Sequence, residues 1–252
     1  MHKPVVFIAL ALWAALPLAV AAQSSATLPQ ATVRLLPGWA EPDGSRVAGL
    51  EVDLAEGWKT YWRSPGTGGL PPLFDWSASR NVAEVAVEWP APQAFETFGI
   101  TTIGYDGTVV LPLRVTPRDA SAPMHLALAL DFGVCADICI PARAAVDLVL
   151  ADTAEGGAAA IRAHRARVPA PAGAHGVEAA CGLRGAGTER RFEARLAFEE
   201  PPGSDPMILV EGPPDVWFGP LEMRWSGGVL QAEGEAEVYA ANGWAARDAL
   251  RL

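Results

Sequence analysis

The sequence predicts an all-β protein, with two antiparallel β-sandwich domains joined by a short helix and a Pro/Ala linker. Three observations carry this prediction. Apolar and polar residues alternate in short runs, the period of half-buried strands. The 25 glycines and 22 prolines among 252 residues break these runs every few positions, which suits many short strands better than long helices. No helical pattern separates the runs before about residue 151, and roughly eight strands without intervening helices read as a sandwich. Half of the residues are hydrophobic, enough for a sizeable core.

Residues 1–22 read as a secretory signal that is removed. His2 and Lys3 make a weakly basic start, Val5 to Val20 an apolar stretch broken by Pro17, and Val20-Ala21-Ala22 a small-residue cleavage site before Gln23. No later stretch approaches the ~20 apolar residues of a membrane helix, so no stable membrane insertion is expected. Export also places the cysteines where disulfides persist. The formal net charge of −10 makes nucleic acid and anionic membranes poor partners.

In the first domain (23–150), Thr32 to Trp39 begins the strands. Arg46 to Ala55 follows as a half-buried strand, with Ala48, Leu50, Val52 and Leu54 on its apolar face. Trp58 to Arg63 is strand-like and rich in aromatics. Ser64 to Pro72 holds too much Gly and Pro for regular structure. Leu73 to Trp76 and Val82 to Trp89 read as further strands. Pro90 to Gly107 reads as a loop, apolar enough (Phe95, Phe98, Ile100, Ile103, Tyr105) to cover something. Pro112 in the strand Thr108 to Thr116 points to a sheet edge or a bulge. Residues 151–175 read as one short helix and a Pro-Ala-Pro-Ala-Gly linker at 169–173. Residues 176–252 return to strand patterns (Phe192 to Phe198, Met207 to Val210, Trp217 to Trp225, Val229 to Tyr239) and form a second, smaller domain.

The chemistry concentrates between Asp131 and Pro141, D-F-G-V-C-A-D-I-C-I-P. Alternating runs on either side, Met124 to Phe132 and Ala144 to Leu150, make this the link of a hairpin or tight strand corner. Cysteines flanking such a link face each other with Cα atoms about 4.5–5.5 Å apart, within the roughly 4.4–6.8 Å that a disulfide spans. Cys135 and Cys139 can therefore be dithiol or disulfide. Closing a loop of about five residues contributes only about 2 kcal/mol in the chain-entropy model, which weakens the case for a structural staple. Spacing alone leaves redox work, a staple and metal binding open. Metal needs more ligands than two thiols, and no His or Met lies in the stretch. The C-x-x-x-C spacing also occurs in copper delivery, but no βαβ alternation precedes it, and His164 and His175 fall in the helix and linker. No metal or other cofactor is expected. Cys181 is an odd cysteine, read as a buried inert thiol. The nine tryptophans suit a sandwich core better than a carbohydrate platform. Neither a G-x-S-x-G motif nor a phosphate-binding glycine loop is present.

The stretches G-W-K-T-Y-W-R (57–63), F-E-T-F-G (95–99), T-V-V-L-P-L (108–113) and G-V-C-A-D-I-C-I-P (133–141) occur in that order. Over about residues 30–150 this resembles the N-terminal periplasmic domain of the DsbD thiol:disulfide interchange family, most closely its ScsB-like members. The resemblance implies an immunoglobulin-like sandwich in the periplasm, a second immunoglobulin-like domain after it, and one redox-active pair that exchanges with thioredoxin-like oxidoreductases. It implies Cys139 as nucleophile and Cys135 as resolving thiol. It also implies an aromatic cap, with Phe98, Phe95 and Gly99 at the cap and Tyr61 and Trp62 on the strand beside the pair. The family's cysteines are more widely spaced than these two. The chain lacks the family's membrane-embedded and C-terminal thioredoxin-like domains, which implies a separate electron donor of the DsbD/CcdA membrane type. Asp131 and Asp137 oppose thiolate formation and the nearest cation in sequence is Arg143, so an unusually acidic thiol is not expected.

Overall fold

The computed structural model describes residues 24–66, 68–97, 99–150, 156–198, 207–212 and 216–239. The expected signal (1–22) and the last residues (240–252) lie outside them. The chain divides into two compact units, 1–166 and 167–252. The architecture is all-β and antiparallel, as expected, with one short α-helix among the described residues.

The first unit holds eleven strands: β1 (Ser25–Thr27), β2 (Ala31–Ala40), β3 (Arg46–Leu54), β4 (Lys59–Tyr61), β5 (Leu73–Asp75), β6 (Val82–Val87), β7 (Gln93–Thr97), β8 (Ile100–Asp106), β9 (Thr108–Pro117), β10 (Met124–Cys135) and β11 (Cys139–Leu150). They form an immunoglobulin-like sandwich. One sheet runs β1-β2-β3-β9-β6; the other runs β11-β10-β4-β8-β7, with β5 also pairing β10. The core between the sheets is filled by the inward-facing residues of each strand. Val33, Leu35, Leu50, Val52, Leu111 and Leu113 from the first sheet are buried, as are Leu126, Leu128, Leu130, Phe132 and Val134 from the second.

Three local outcomes differ from the sequence reading. Pro90 to Gly107 is not a loop: β7 and β8 pair from Gln93↔Gly104 to Thr97↔Ile100. Gly99, at φ +77° in the link between them, supplies a backbone conformation that other residues rarely adopt. The threonines and Glu96 between the apolar residues are the polar half of a strand alternation rather than loop chemistry.

Pro112 lies in β9, an inner strand between β3 and β6, and not at an edge. Its carbonyl accepts from the Glu88 N–H on the β6 side, one residue past the end of β6. In a strand the N and O of one residue point the same way, so the missing N–H faces the final rung beside β6, where the one bond forgone is the return bond to Glu88 at the end of the ladder.

β3 is buried on both faces over most of its length rather than one. The helix α1 (Ala158–Arg165) lies on its outer face, where Ile161 is fully buried against Leu36, Val47 and Val110. Arg165 pairs with Glu41 (3.3 Å) and Glu88 (2.9 Å), and Arg162 stacks on Trp39 (4.5 Å). The helix thus belongs to the first compact unit, which runs past Leu150 to residue 166.

The second unit contains β12 (Glu178–Arg184), β13 (Glu189–Ala197), β14 (Val216–Ser226) and β15 (Val229–Val238), a four-stranded sheet in the order β12-β13-β15-β14. Phe192, Ala194, Ala232 and Ala236 form its core, and Phe192 meets Phe218 edge-on at 5.3 Å. Pro220 falls at a register shift in β14, the last strand of the order, where its missing donor disturbs little. Residues 207–210 form no strand; Ile208 and Val210 pack on this core without ladder pairing. Tryptophans among the described residues pack locally: in the first unit Trp39 against α1, Trp62 buried, and Trp76 and Trp89 around Phe74; in the second, Trp225 against Phe198.

Candidate functional site

The site follows from the parity of β10. Its even-numbered residues, Met124 to Val134, point into the sandwich. The odd-numbered Cys135 therefore stands on the opposite, outer face of the sheet. β10 and β11 pair without a shift from Met124↔Leu150 to Cys135↔Cys139, so the two cysteines form the last rung, directly opposite one another. They are joined as a disulfide, with Cα atoms 4.1 Å apart. The Ala136 N–H donates to the Ile138 carbonyl (3.1 Å) and closes the link between the strands. Cys135 is half-buried, Cys139 is exposed, and Ile138 at the tip is two-thirds exposed.

The same outer face supplies the surroundings. A cleft of about 140 Å³ opens beside the disulfide, lined by Lys59, Tyr61, Phe95, Ile100, Thr102 and Asp137 together with both cysteines. β4 places Lys59 opposite Cys135, and Tyr61 follows two residues later on the same face. The Tyr61 ring lies over Gly133: a Cβ there would meet the ring at 2.7 Å, so only glycine lets the ring reach the strand. From that position the Tyr61 hydroxyl lies 3.0 Å from Cys139 Sγ. Burial pushes the Tyr61 hydroxyl above its ordinary range, which keeps it protonated and able to donate at neutral pH. Beneath the sheet, Thr60 Oγ1 donates to the Gly133 carbonyl (2.8 Å) and ties β4 to β10 at this height.

The structure brings Cys135, Cys139, Tyr61 and Phe95 together. Trp62 is buried but does not line the cleft; Arg63 stacks on its ring at 4.5 Å. Gly99 sits in the link of the β7–β8 hairpin. Phe98 lies outside the described residues. Arg143, the nearest cation in sequence, is paired with Asp131 (2.5 Å). The cation lining the cleft is Lys59, 76 positions before Cys135 in the chain. Ile100 was expected only as part of an apolar cover, and Lys59 and Thr102 were missed, for one reason. Lys59 shares strand parity with Tyr61, while Ile100 and Thr102 share a face with Phe95 once β7 and β8 pair, so a period-two reading of those segments would have found them.

Cys181 is half-buried on β12 opposite Ala194, and burial pushes its thiol up, away from reactivity. Among the described residues no three His, Cys, Asp or Glu gather as a ligand set, and no helix is long and apolar enough to cross a membrane.

Fold and site together define a class: an immunoglobulin-like domain with a disulfide across the turn end of a β-hairpin, on the outer face of its sheet. Residues 26–151 match the model of the N-terminal domain of the thiol:disulfide interchange protein DsbD, and the chain belongs to that family. Its structure is similar to the crystal structure of the N-terminal periplasmic domain of ScsB from Proteus mirabilis. The two share 27% identity and a TM-score of 0.69, over 86% of this chain and 87% of that one. No curated protein matches.

Removing the Tyr61 hydroxyl tests its contact with Cys139. A hydrogen bond to a charged group contributes about 1.5–3 kcal/mol, which is on the order of one to two pH units. In the reduced protein, Tyr61→Phe raises the pH midpoint of Cys139 alkylation by about one unit while the ring still covers Gly133. An unchanged midpoint would show that the hydroxyl does not act on this sulfur.

Proposed function

We propose that this protein is a thiol–disulfide interchange carrier that passes reducing equivalents through Cys135 and Cys139, to or from a thioredoxin-like oxidoreductase. One observation carries the reading: the disulfide closes a sequence separation of 4 on the outer face of the sheet, with Cys139 exposed beside an open cleft. A staple of that span adds little to stability, whereas an exposed sulfur with a half-buried partner suits exchange. Cys139 is the sulfur that meets the partner, and Cys135 is the resolving thiol. A partner thiolate attacks Cys139 Sγ, the intramolecular bond breaks, and Cys135 leaves with the electron pair. In reverse, the Cys135 thiolate attacks the mixed disulfide and releases the partner. The family membership and the likeness to a periplasmic ScsB domain support a periplasmic setting and a membrane-embedded donor of the DsbD/CcdA type, and the sequence of residues 1–22 fits a cleaved signal. In this reading Phe95 and Tyr61 shield the disulfide, with Gly99 in the link of the β7–β8 hairpin that carries Phe95.

The direct test is a trap. With a thioredoxin-like partner whose resolving cysteine is replaced and whose remaining cysteine is activated as a mixed disulfide with thionitrobenzoate, Cys135→Ala accumulates a mixed disulfide on a non-reducing gel, because Cys139 displaces the thionitrobenzoate and neither protein retains a resolving thiol at the site. Cys139→Ala forms none. An adduct that appears only with Cys139→Ala reverses the roles, and no adduct with either variant contradicts exchange.

The shield has its own readout. Phe95→Ala speeds reduction of the disulfide by a small thiol by about ten-fold if shielding costs the reagent about 1.4 kcal/mol. Equal rates would remove Phe95 from that role.

A further inference from the structure

Strand register aligns four side chains in one row across the outer face. Asp106 on β8 pairs with Lys59 on β4, Lys59 pairs with Cys135 on β10, and Cys135 pairs with Cys139 on β11. Residues directly opposite in antiparallel strands share a face, with Cβ atoms about 4.5–5.5 Å apart. The Lys59 side chain therefore rises beside Cys135 and not beside Cys139. Its ammonium rests over the Phe95 ring at 4.7 Å, and among the described residues it makes no ion pair. We propose that Lys59 is the cation that meets the negative charge arriving on the Cys135 sulfur when the disulfide opens.

The assignment rests on the exchange reading and adds a residue to it. When a partner thiolate attacks Cys139 Sγ, a new S–S bond forms there and the Cys135–Cys139 bond breaks. The partner sulfur is oxidised from thiolate to disulfide, and Cys135 is reduced and carries away the electron pair. A leaving sulfur with a lower pKa leaves faster, and an ammonium within a few Å lowers it. Lys59 has a flexible four-carbon stem and gives up only a cation–π contact when it turns from Phe95 to the sulfur. In the reverse step the same charge keeps Cys135 as the thiolate that resolves the mixed disulfide.

The other ionisable groups around Cys135 do not replace it. Asp137, from the link between β10 and β11, lines the cleft and acts against a thiolate. Asp131, four residues back on the same face of β10, holds Arg143 of β11. Asp106 on β8 accepts from Gln93 Nε2 (3.2 Å) on β7. Tyr61 on β4 is directed at Cys139.

Single-thiol backgrounds separate the two sulfurs: Cys139→Ala leaves Cys135, and Cys135→Ala leaves Cys139. The rate of iodoacetamide alkylation against pH, resolved by peptide mass spectrometry so that Cys181 is scored apart, gives each midpoint. Lys59→Met keeps the stem and removes the charge; it raises the Cys135 midpoint by about one pH unit and moves Cys139 less. Lys59→Arg restores most of the Cys135 value. A Cys135 midpoint unchanged by Lys59→Met, or a shift confined to Cys139, overturns the assignment. No partner takes part in this measurement, so its outcome is separate from that of the mixed-disulfide trap.

Discussion

The pairing of β10 with β11 is the constraint on which the site depends. Twelve rungs run from Met124↔Leu150 to Cys135↔Cys139 without a register shift. Even-numbered residues of both strands face the core along that length, and most are buried. A slip of one residue would turn Leu126, Leu128, Leu130 and Phe132 out of the core. That penalty, several buried side chains at about 1.5–3 kcal/mol each, holds the register. With the register held, the cysteines have no choice of face. They come to the outer surface at the hairpin's end, opposite each other, whether or not they are joined.

The arrangement separates stability from chemistry. The sandwich is held by fully buried side chains such as Leu35, Leu50, Leu113, Leu126 and Leu130, while the disulfide closes a short span and contributes little by chain entropy. The pair can then open and close without taking the fold with it, a condition a carrier must meet. The immediate surroundings are arranged by the same sheet. Gly133 admits the Tyr61 ring, and Thr60 ties β4 to β10 below it. β4 also sets a lysine on the rung beside one cysteine and a hydroxyl against the sulfur of the other. The two cysteines of one rung thereby meet different environments, which is a physical basis for unequal roles in exchange.

Much of this was legible in the chain. The period-two runs at 46–55, 124–132 and 144–150 disclosed β3, β10 and β11, because apolar side chains recur at every second position along each. The cysteine rung followed from the runs on either side of it. The segment 90–107 misled because its strands are short and its polar positions are threonines among glycines, so loop composition outweighed a weak alternation. Pro112 misled because its effect depends on where a neighbouring strand ends, a tertiary fact. Lys59 was hidden for the corresponding reason. Sequence distance made Arg143 the nearer cation, but β11 pairs it with Asp131, and β4, drawn in from 76 residues away, sets Lys59 on the rung beside Cys135. Burial of both faces of β3 depended on a helix more than 100 residues further along the chain.

The central claim is that the Cys135–Cys139 disulfide is an exchanging couple and not a staple. Its reduction potential tests this most directly, measured on the whole protein by equilibration with glutathione or dithiothreitol buffers. Structural disulfides of exported proteins typically lie below about −300 mV, and exchanging ones lie higher. The account predicts a midpoint above that value, in the range where thioredoxin-like proteins can oxidise or reduce the pair. A midpoint well below it, with the pair resistant to thioredoxin-like proteins, would contradict the account and leave the disulfide as a structural clip.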